Sequence, residues 1–286
     1  PMNATIQAAL ILATSAALAV QSVGAQSTVD RAKVLRAAAD AVGMVRWSDI
    51  GSATTRLPGL DVVNTMELQG SGTSESSGRA VTTQYHVALG FNPPAMRVEM
   101  TRTGPDGGAA QHTIHTVREN YAWDESATGG GLVPGNGTAT PPIAAVQERL
   151  LQLWTLPYGV IKTALAAGEK TTVSTEGGAT VISFPLSGQL AGITVKATLD
   201  SNNLVTRVET RPDNPARVNL ATQTEYSNYA DRGEVLSDIK SPGHIVRRQG
   251  GRTLLDIEVK AWETNNPYLV FPVPPNVKTA ATANSR

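Results

Sequence analysis

The chain has 286 residues, with 24 basic and 24 acidic side chains, a formal net charge of zero and no cysteine. Charged residues make up 17 % of it, against roughly a quarter in an average soluble domain. A neutral chain lacks the pull toward phosphate backbones that generic nucleic-acid binding needs. Without thiols it forms no disulfide, no Cys-ligated zinc or iron–sulfur centre and no cysteine nucleophile.

Ala8 to Val20 is apolar apart from small Ser and Thr. That is the length of a signal-peptide core, and short of the roughly 20 residues that span a bilayer. Val23-Gly24-Ala25 follows, so cleavage is placed after Ala25 and an exported protein, periplasmic or secreted, is expected. No Lys or Arg precedes Arg31, so the usual positive n-region is missing. Thr28 reads as the N-cap of a helix over Val29–Val42, with Val29, Ala32, Leu35, Ala39 and Val42 on one stripe.

From there the period changes to two. Val81, Thr83, Tyr85, Val87 and Leu89 share one face of a strand, and Met96, Val98 and Met100 share a face of the next. Ile193, Val195, Ala197 and Leu199 form a third series, and Leu255, Ile257, Val259 and Ala261 a fourth. Such alternation marks antiparallel strands with one wet face. Further strands are expected near Val62–Gln69, Gln111–Arg118, Thr171–Thr175, Thr180–Pro185, Leu204–Arg211 and Leu220–Tyr229. Gly104-Pro-Asp-Gly-Gly108 and Asp200-Ser-Asn-Asn203 read as turns between them. A Gly/Pro/Thr loop, Gly129–Pro142, delivers a helix whose Val146, Leu150, Leu153 and Trp154 form one apolar face. Pro157 breaks it, and Tyr158, Ile161 and Leu165 suggest a short second helix. The segment from Pro267 onward reads as a closing strand followed by a loose end.

No catalytic motif stands up to inspection. Of the four histidines, His86, His112, His115 and His244, His112 and His115 are three apart on a strand, so they face opposite sides and cannot share a metal, and a zinc site needs three or four convergent ligands. Ser237-Asp-Ile-Lys240 has the S-x-x-K spacing of serine β-lactamases, but Tyr226-Ser-Asn228 precedes it and no K-T-G strand follows. Asp124 and Glu125 beside Trp123 read as a solvated strand end rather than an acid–base pair. No G-x-S-x-G elbow, Walker loop or H-E-x-x-H is present. No cofactor and no metal is therefore expected, and catalysis by this chain is not. The helical stripe at Leu150, Leu153, Trp154, Tyr158 and Ile161 either fills the core or lines a cavity under the sheet.

The C-terminal third carries a resemblance. Thr224-Glu-Tyr-Ser-Asn-Tyr runs into Ile239-Lys-Ser-Pro-Gly-His-Ile-Val, then Gln249-Gly-Gly-Arg-Thr-Leu-Leu-Asp-Ile-Glu-Val, then Asn266-Pro-Tyr-Leu-Val-Phe-Pro-Val-Pro. This succession resembles the closing strands of the LolA/LolB-like superfamily of exported lipoprotein carriers. It is also similar to the region that precedes the catalytic domain in some exported metallo-β-lactamase-fold hydrolases. The chain departs from the common pattern over Glu234–Lys240, where a tighter turn is the rule.

The resemblance implies a mainly β, α+β fold: an incomplete antiparallel β-barrel wrapped around a few helices. On that reading residues 1–25 are the signal peptide, 26–275 a single half-barrel domain and 276–286 a flexible tail. It further implies a non-enzymatic protein that binds a lipid or a lipoprotein acyl chain. The ligand-binding residues expected are Tyr85, Val87, Met96, Val98 and Met100 from strands, and Leu150, Trp154, Tyr158 and Ile161 from helices. The second arm of the resemblance implies instead an accessory domain for a hydrolase whose metal-binding catalytic domain is not in this chain, with that domain as partner. No nucleic acid and no membrane span after cleavage belong to either reading.

Overall fold

The computed structural model describes residues 30–46, 60–61, 63–104, 108–231 and 239–283. The expected leader and its cleavage point, Thr28, Val62, Pro105–Gly107 of the first turn and Ser237 lie outside the described residues.

Helix α1 (Arg31–Ala41) starts two residues later than the apolar stripe suggests. Asp30 has extended backbone, and its carboxylate accepts from the Ala32 and Lys33 N–H groups at 3.0 and 3.3 Å. That satisfies two donors that a helix start leaves open. β1 (Val45–Arg46) and β2 (Leu60–Asp61) make a two-residue ladder. A meander follows: β3 (Thr65–Ser76), β4 (Arg79–Phe91), β5 (Pro94–Thr103), β6 (Gln111–Arg118), β7 (Tyr121–Glu125) and the short β8 (Ala139–Thr140). Helices α2 (Val146–Trp154) and α3 (Pro157–Ala167) come next. A second meander comprises β9 (Thr172–Glu176), β10 (Ala179–Pro185), β11 (Ile193–Leu199), β12 (Val205–Pro212) and β13 (Gln223–Ser227). β14 (Ala230–Asp231) pairs with β15 (Lys240–Ser241), and β16 (His244–Gln249), β17 (Arg252–Thr264) and α4 (Pro275–Ala283) complete the order.

Thirteen of these strands form one antiparallel sheet in the order β8-β7-β6-β5-β4-β3-β17-β16-β13-β12-β11-β10-β9. It is not closed: β8 and β9 end it on either side. The architecture is thus the expected incomplete barrel around a few helices. Since β8 and β9 lie at opposite ends of the sheet, the segment joining them must cross the concave side. That segment is α2–α3, with α2 packed on β5, β6 and β7 and α3 on β10, while α1 packs on α3. Gly159 makes the α2–α3 corner: a Cβ there would lie 2.6 Å from the Leu153 carbonyl oxygen.

Burial follows the period of two. Ile193, Val195, Ala197 and Leu199 of β11 are all buried, and their odd-even neighbours half-exposed. β17 departs from it once. Val259 pairs with Gly70 but Ala261 with Gln69, leaving Lys260 as the extra residue of a bulge. The slip reverses the phase, so Ala261 faces out, contrary to the simple alternation, and Trp262 turns inward onto Tyr158 with ring centroids 5.7 Å apart.

The two meanders meet at β3 and β17. A Cβ on Gly70 would lie 2.5 Å from the Glu258 carbonyl oxygen, and one on Gly72 would collide with that of Asp256. Glycine mid-strand marks such close backbone approach. The inward faces of both meanders and the three helices share one apolar core, in which Leu153, Ile161, Ile182 and Ile193 are almost wholly buried. Each contributes about 1.5–3 kcal/mol of burial.

The closing strand expected after Pro267 does not form. Residues 267–274 run without regular structure over the outer face of β4 and β5, where Phe271 packs on Ala88 and Ala95. Arg118 Nη1 donates to the Phe271 carbonyl at 3.1 Å, and the Arg97 guanidinium sits over its ring. α4 then brings Val277 against Trp123 and Ala139. Pro275 opens that helix where its missing N–H is not needed.

Candidate functional site

A pocket of about 390 Å³ opens between the concave face of the sheet and α2. Its sheet side is Tyr85 from β4, Val98, Met100 and Arg102 from β5, Ser74 and Glu75 from β3, His115 from β6, Leu254 and Leu255 from β17 and Arg247 from β16. Its helix side is Ala145, Glu148, Arg149 and Gln152. The last four are spaced i, i+3, i+4 and i+7, one face of the helical segment. That face is distinct from the one carrying Val146, Leu150 and Leu153 into the core.

The polar groups are fixed in place. Gln152 Nε2 donates to the Tyr85 hydroxyl at 3.1 Å. Burial pushes the Tyr85 phenol above its ordinary pKa, opposed in part by the charge of Arg247 and by the Gln152 bond. Arg149 Nη1 donates to the carbonyls of Thr116 and Trp123 at 2.9 and 2.8 Å, and its Nη2 to Asp124 Oδ1 at 2.5 Å. His115 Nδ1 reaches the same oxygen at 2.7 Å. Burial acts to raise the Asp124 pKa, but the His115 bond and the charge and bond of Arg149 outweigh it, and the carboxyl stays below its usual value. Arg102 contacts only neutral groups: Nε donates to Ser74 Oγ at 2.9 Å, Nη1 to Thr113 Oγ1 at 3.2 Å, and Nη2 meets Met100 Sδ at 3.1 Å.

Of the ligand-binding residues expected from sequence, Tyr85, Val98 and Met100 line this pocket. Val87, Met96, Leu150, Tyr158 and Ile161 lie in the main core, all at most 5 % exposed. Trp154 is half-buried at the edge of that core, 5.9 Å from the Phe91 ring centroid. The Tyr158 hydroxyl donates to the Lys240 carbonyl. The two tyrosines of the resemblance motif are anchors: Tyr226 donates to the Thr155 carbonyl at 2.8 Å and Tyr229 to that of Val205 at 2.6 Å.

The sequence reading missed the pocket's arginines. Arg102 is in phase with Met96, Val98 and Met100, so carrying the alternation one step further finds it. Arg247 is likewise in phase with Ile245, a core residue. Glu125 is also different from the solvated strand end expected. It is 6 % exposed on the outer side of the sheet. It accepts from Thr116 Oγ1, Trp123 Nε1 and the Gly129 N–H at 2.9, 2.8 and 2.6 Å, with Arg97 Nε 3.5 Å away.

His86 and His112 flank Glu99 on the outer face, at 3.5 and 3.2 Å. His115 faces the pocket on the other side, as the odd spacing requires. Among the described residues no group of three His, Asp or Glu is arranged to hold a metal ion, and no helix is long and apolar enough to cross a membrane.

No family model matches the chain, and no curated protein matches it. Among solved structures it is similar to a DUF1329 family protein from Desulfovibrio piger, with a TM-score of 0.46 at 6 % identity over 82 % of this chain and 93 % of that one. It is also similar to a domain from Vibrio parahaemolyticus, provisionally assigned as an outer membrane lipoprotein-sorting protein. There the TM-score is 0.43 at 8 % identity, over 90 % of this chain and 99 % of the other.

Proposed function

We propose that this chain is an exported, non-enzymatic protein that binds a hydrophobic ligand, a lipid or an acyl chain, at the open side of its half-barrel. The observation that carries this reading is the pocket of about 390 Å³ between α2 and the sheet, with Tyr85, Val98, Met100 and Leu255 on its sheet side. Its size falls within the range of small-molecule sites, which pair apolar walls with a few placed polar groups. The resemblance of Thr224–Pro274 to lipoprotein carriers points the same way, and the apolar stretch Ala8–Val20 supports export.

Native mass spectrometry with lipid extraction, alongside titration with a fluorescent fatty-acyl probe, tests it. Co-purified lipid or saturable probe binding is expected. Met100→Glu, which places a charge on a half-exposed pocket wall, should weaken the probe by about tenfold or more, while Met100→Leu retains it. A clean mass and no binding would overturn the reading.

A further inference from the structure

The pocket's charges are unevenly compensated. Arg149 is held by Asp124, and Glu75 by Arg252 and the Gly78 N–H. Arg102 has no carboxylate within ion-pair distance among the described residues, and Arg247 has neither a carboxylate nor a hydrogen bond there. Both residues are half-buried. Burial lowers the Arg102 pKa, the mark of a cation short of solvent.

Geometry brings the two together. Arg102 stands on β5 but leans across β4 to reach Ser74 on β3. Ser74 pairs with Leu255 of β17, and Leu255 with Arg247 of β16. The Arg102 head, held at Ser74, thus lies two strand spacings, roughly 10 Å, from the Arg247 backbone. The Arg247 side chain comes close enough to Tyr85 and Tyr226 for its charge to favour their ionised forms. The Tyr85 hydroxyl, which accepts from Gln152, has its own proton to give. Glu148, exposed on the rim, is the pocket's remaining carboxylate.

We propose that this pocket takes an anionic headgroup, a carboxylate or a phosphate, between Arg102 and Arg247, with the ligand's apolar part against Tyr85, Val98 and Met100. A half-buried arginine without a counter-charge is costly, and an anion making charge-assisted hydrogen bonds relieves it. The inference rests on the pocket being the ligand site proposed above. It adds that the ligand is an acidic amphiphile rather than a neutral one.

Calorimetric titration of the purified chain with decanoate, decyl phosphate, 1-decanol and inorganic phosphate decides it. Decanoate and decyl phosphate should bind at least about tenfold tighter than 1-decanol. Arg247→Gln and Arg102→Gln should each erase that margin, with unchanged circular dichroism spectra as the check on the fold. If 1-decanol binds as tightly as decanoate and the variants change nothing, the headgroup inference is overturned and the hydrophobic-ligand reading stands. If inorganic phosphate binds as tightly as decyl phosphate and Arg247→Gln abolishes both, a free anion is the source. The arginine site then stands and the hydrophobic-ligand reading falls. No binding of any probe overturns both.

Discussion

Asp124 and Glu125 are neighbours in sequence with opposite fates, because successive strand residues face opposite sides. Asp124 turns to the rim of the pocket and takes His115 and Arg149; Glu125 turns outward beneath the Gly-rich loop and is enclosed by donors. The depressed Asp124 pKa gives a signed expectation. The stabilisation is fully present above the ordinary carboxyl pKa of 3.8 and is lost as falling pH protonates the folded-state carboxyl. Denaturant titrations of the parent and Asp124→Asn should therefore differ at neutral pH and converge below about pH 4. Equal differences at pH 7 and pH 3 would contradict this. At this scale the sequence was legible as far as which face a strand residue takes. Which partner waits on that face was not, since Arg149 approaches Asp124 from a helix 25 residues later.

The elements differ in how plainly they declare themselves. β4, β5 and β11 each carry an unbroken alternation, and the apolar face of α2 repeats at helical spacing, so all four could be placed from sequence. The end of the chain could not. Its Pro, Ala and Asn carry no period, and its partners Ala88, Ala95 and Trp123 lie more than a hundred residues earlier. The bulge at Lys260 is equally silent, because Ala261 fits the inward series until register is known. Phe271 gives the C-terminal segment its main apolar anchor over β4 and β5. Phe271→Ala should destabilise the fold by about 3 kcal/mol, the low end for a buried aromatic because the cluster is small. Equilibrium unfolding monitored by circular dichroism checks it, and an unchanged midpoint would mean that the segment is only draped on the sheet.

For the molecule as a whole, antiparallel strands around a helical pair were readable from the period of two and from the apolar stripe after the Gly/Pro/Thr loop. The seam between β3 and β17 was not, since nothing local in Gly70 or Gly72 names the strand that comes so close. At that seam Gly70→Ala places a methyl against backbone that cannot step aside. It should destabilise by about 2 kcal/mol. Gly104→Ala, with nothing within 4 Å of the added carbon, serves as the comparison and should change little. Equal effects of the two in thermal melts would argue that the strands can part.

The seam also sets an order of events in time. Met66 pairs with Thr264, so the pairing that joins the two halves spans nearly the whole described chain. Each meander can zip locally through short hairpins, but joining them closes a loop of that length, and such non-local pairing is slow. Until β17 is available, β3 and β16 each have one bonding edge unmet, which are inner strands rather than guarded rims. A ribosome delivers β17 only after both meanders have emerged. The half-assembled sheet is therefore open to wrong partners along β3 and β16 for all of that interval, and a chaperone that keeps those strands apart until β17 arrives would serve it best.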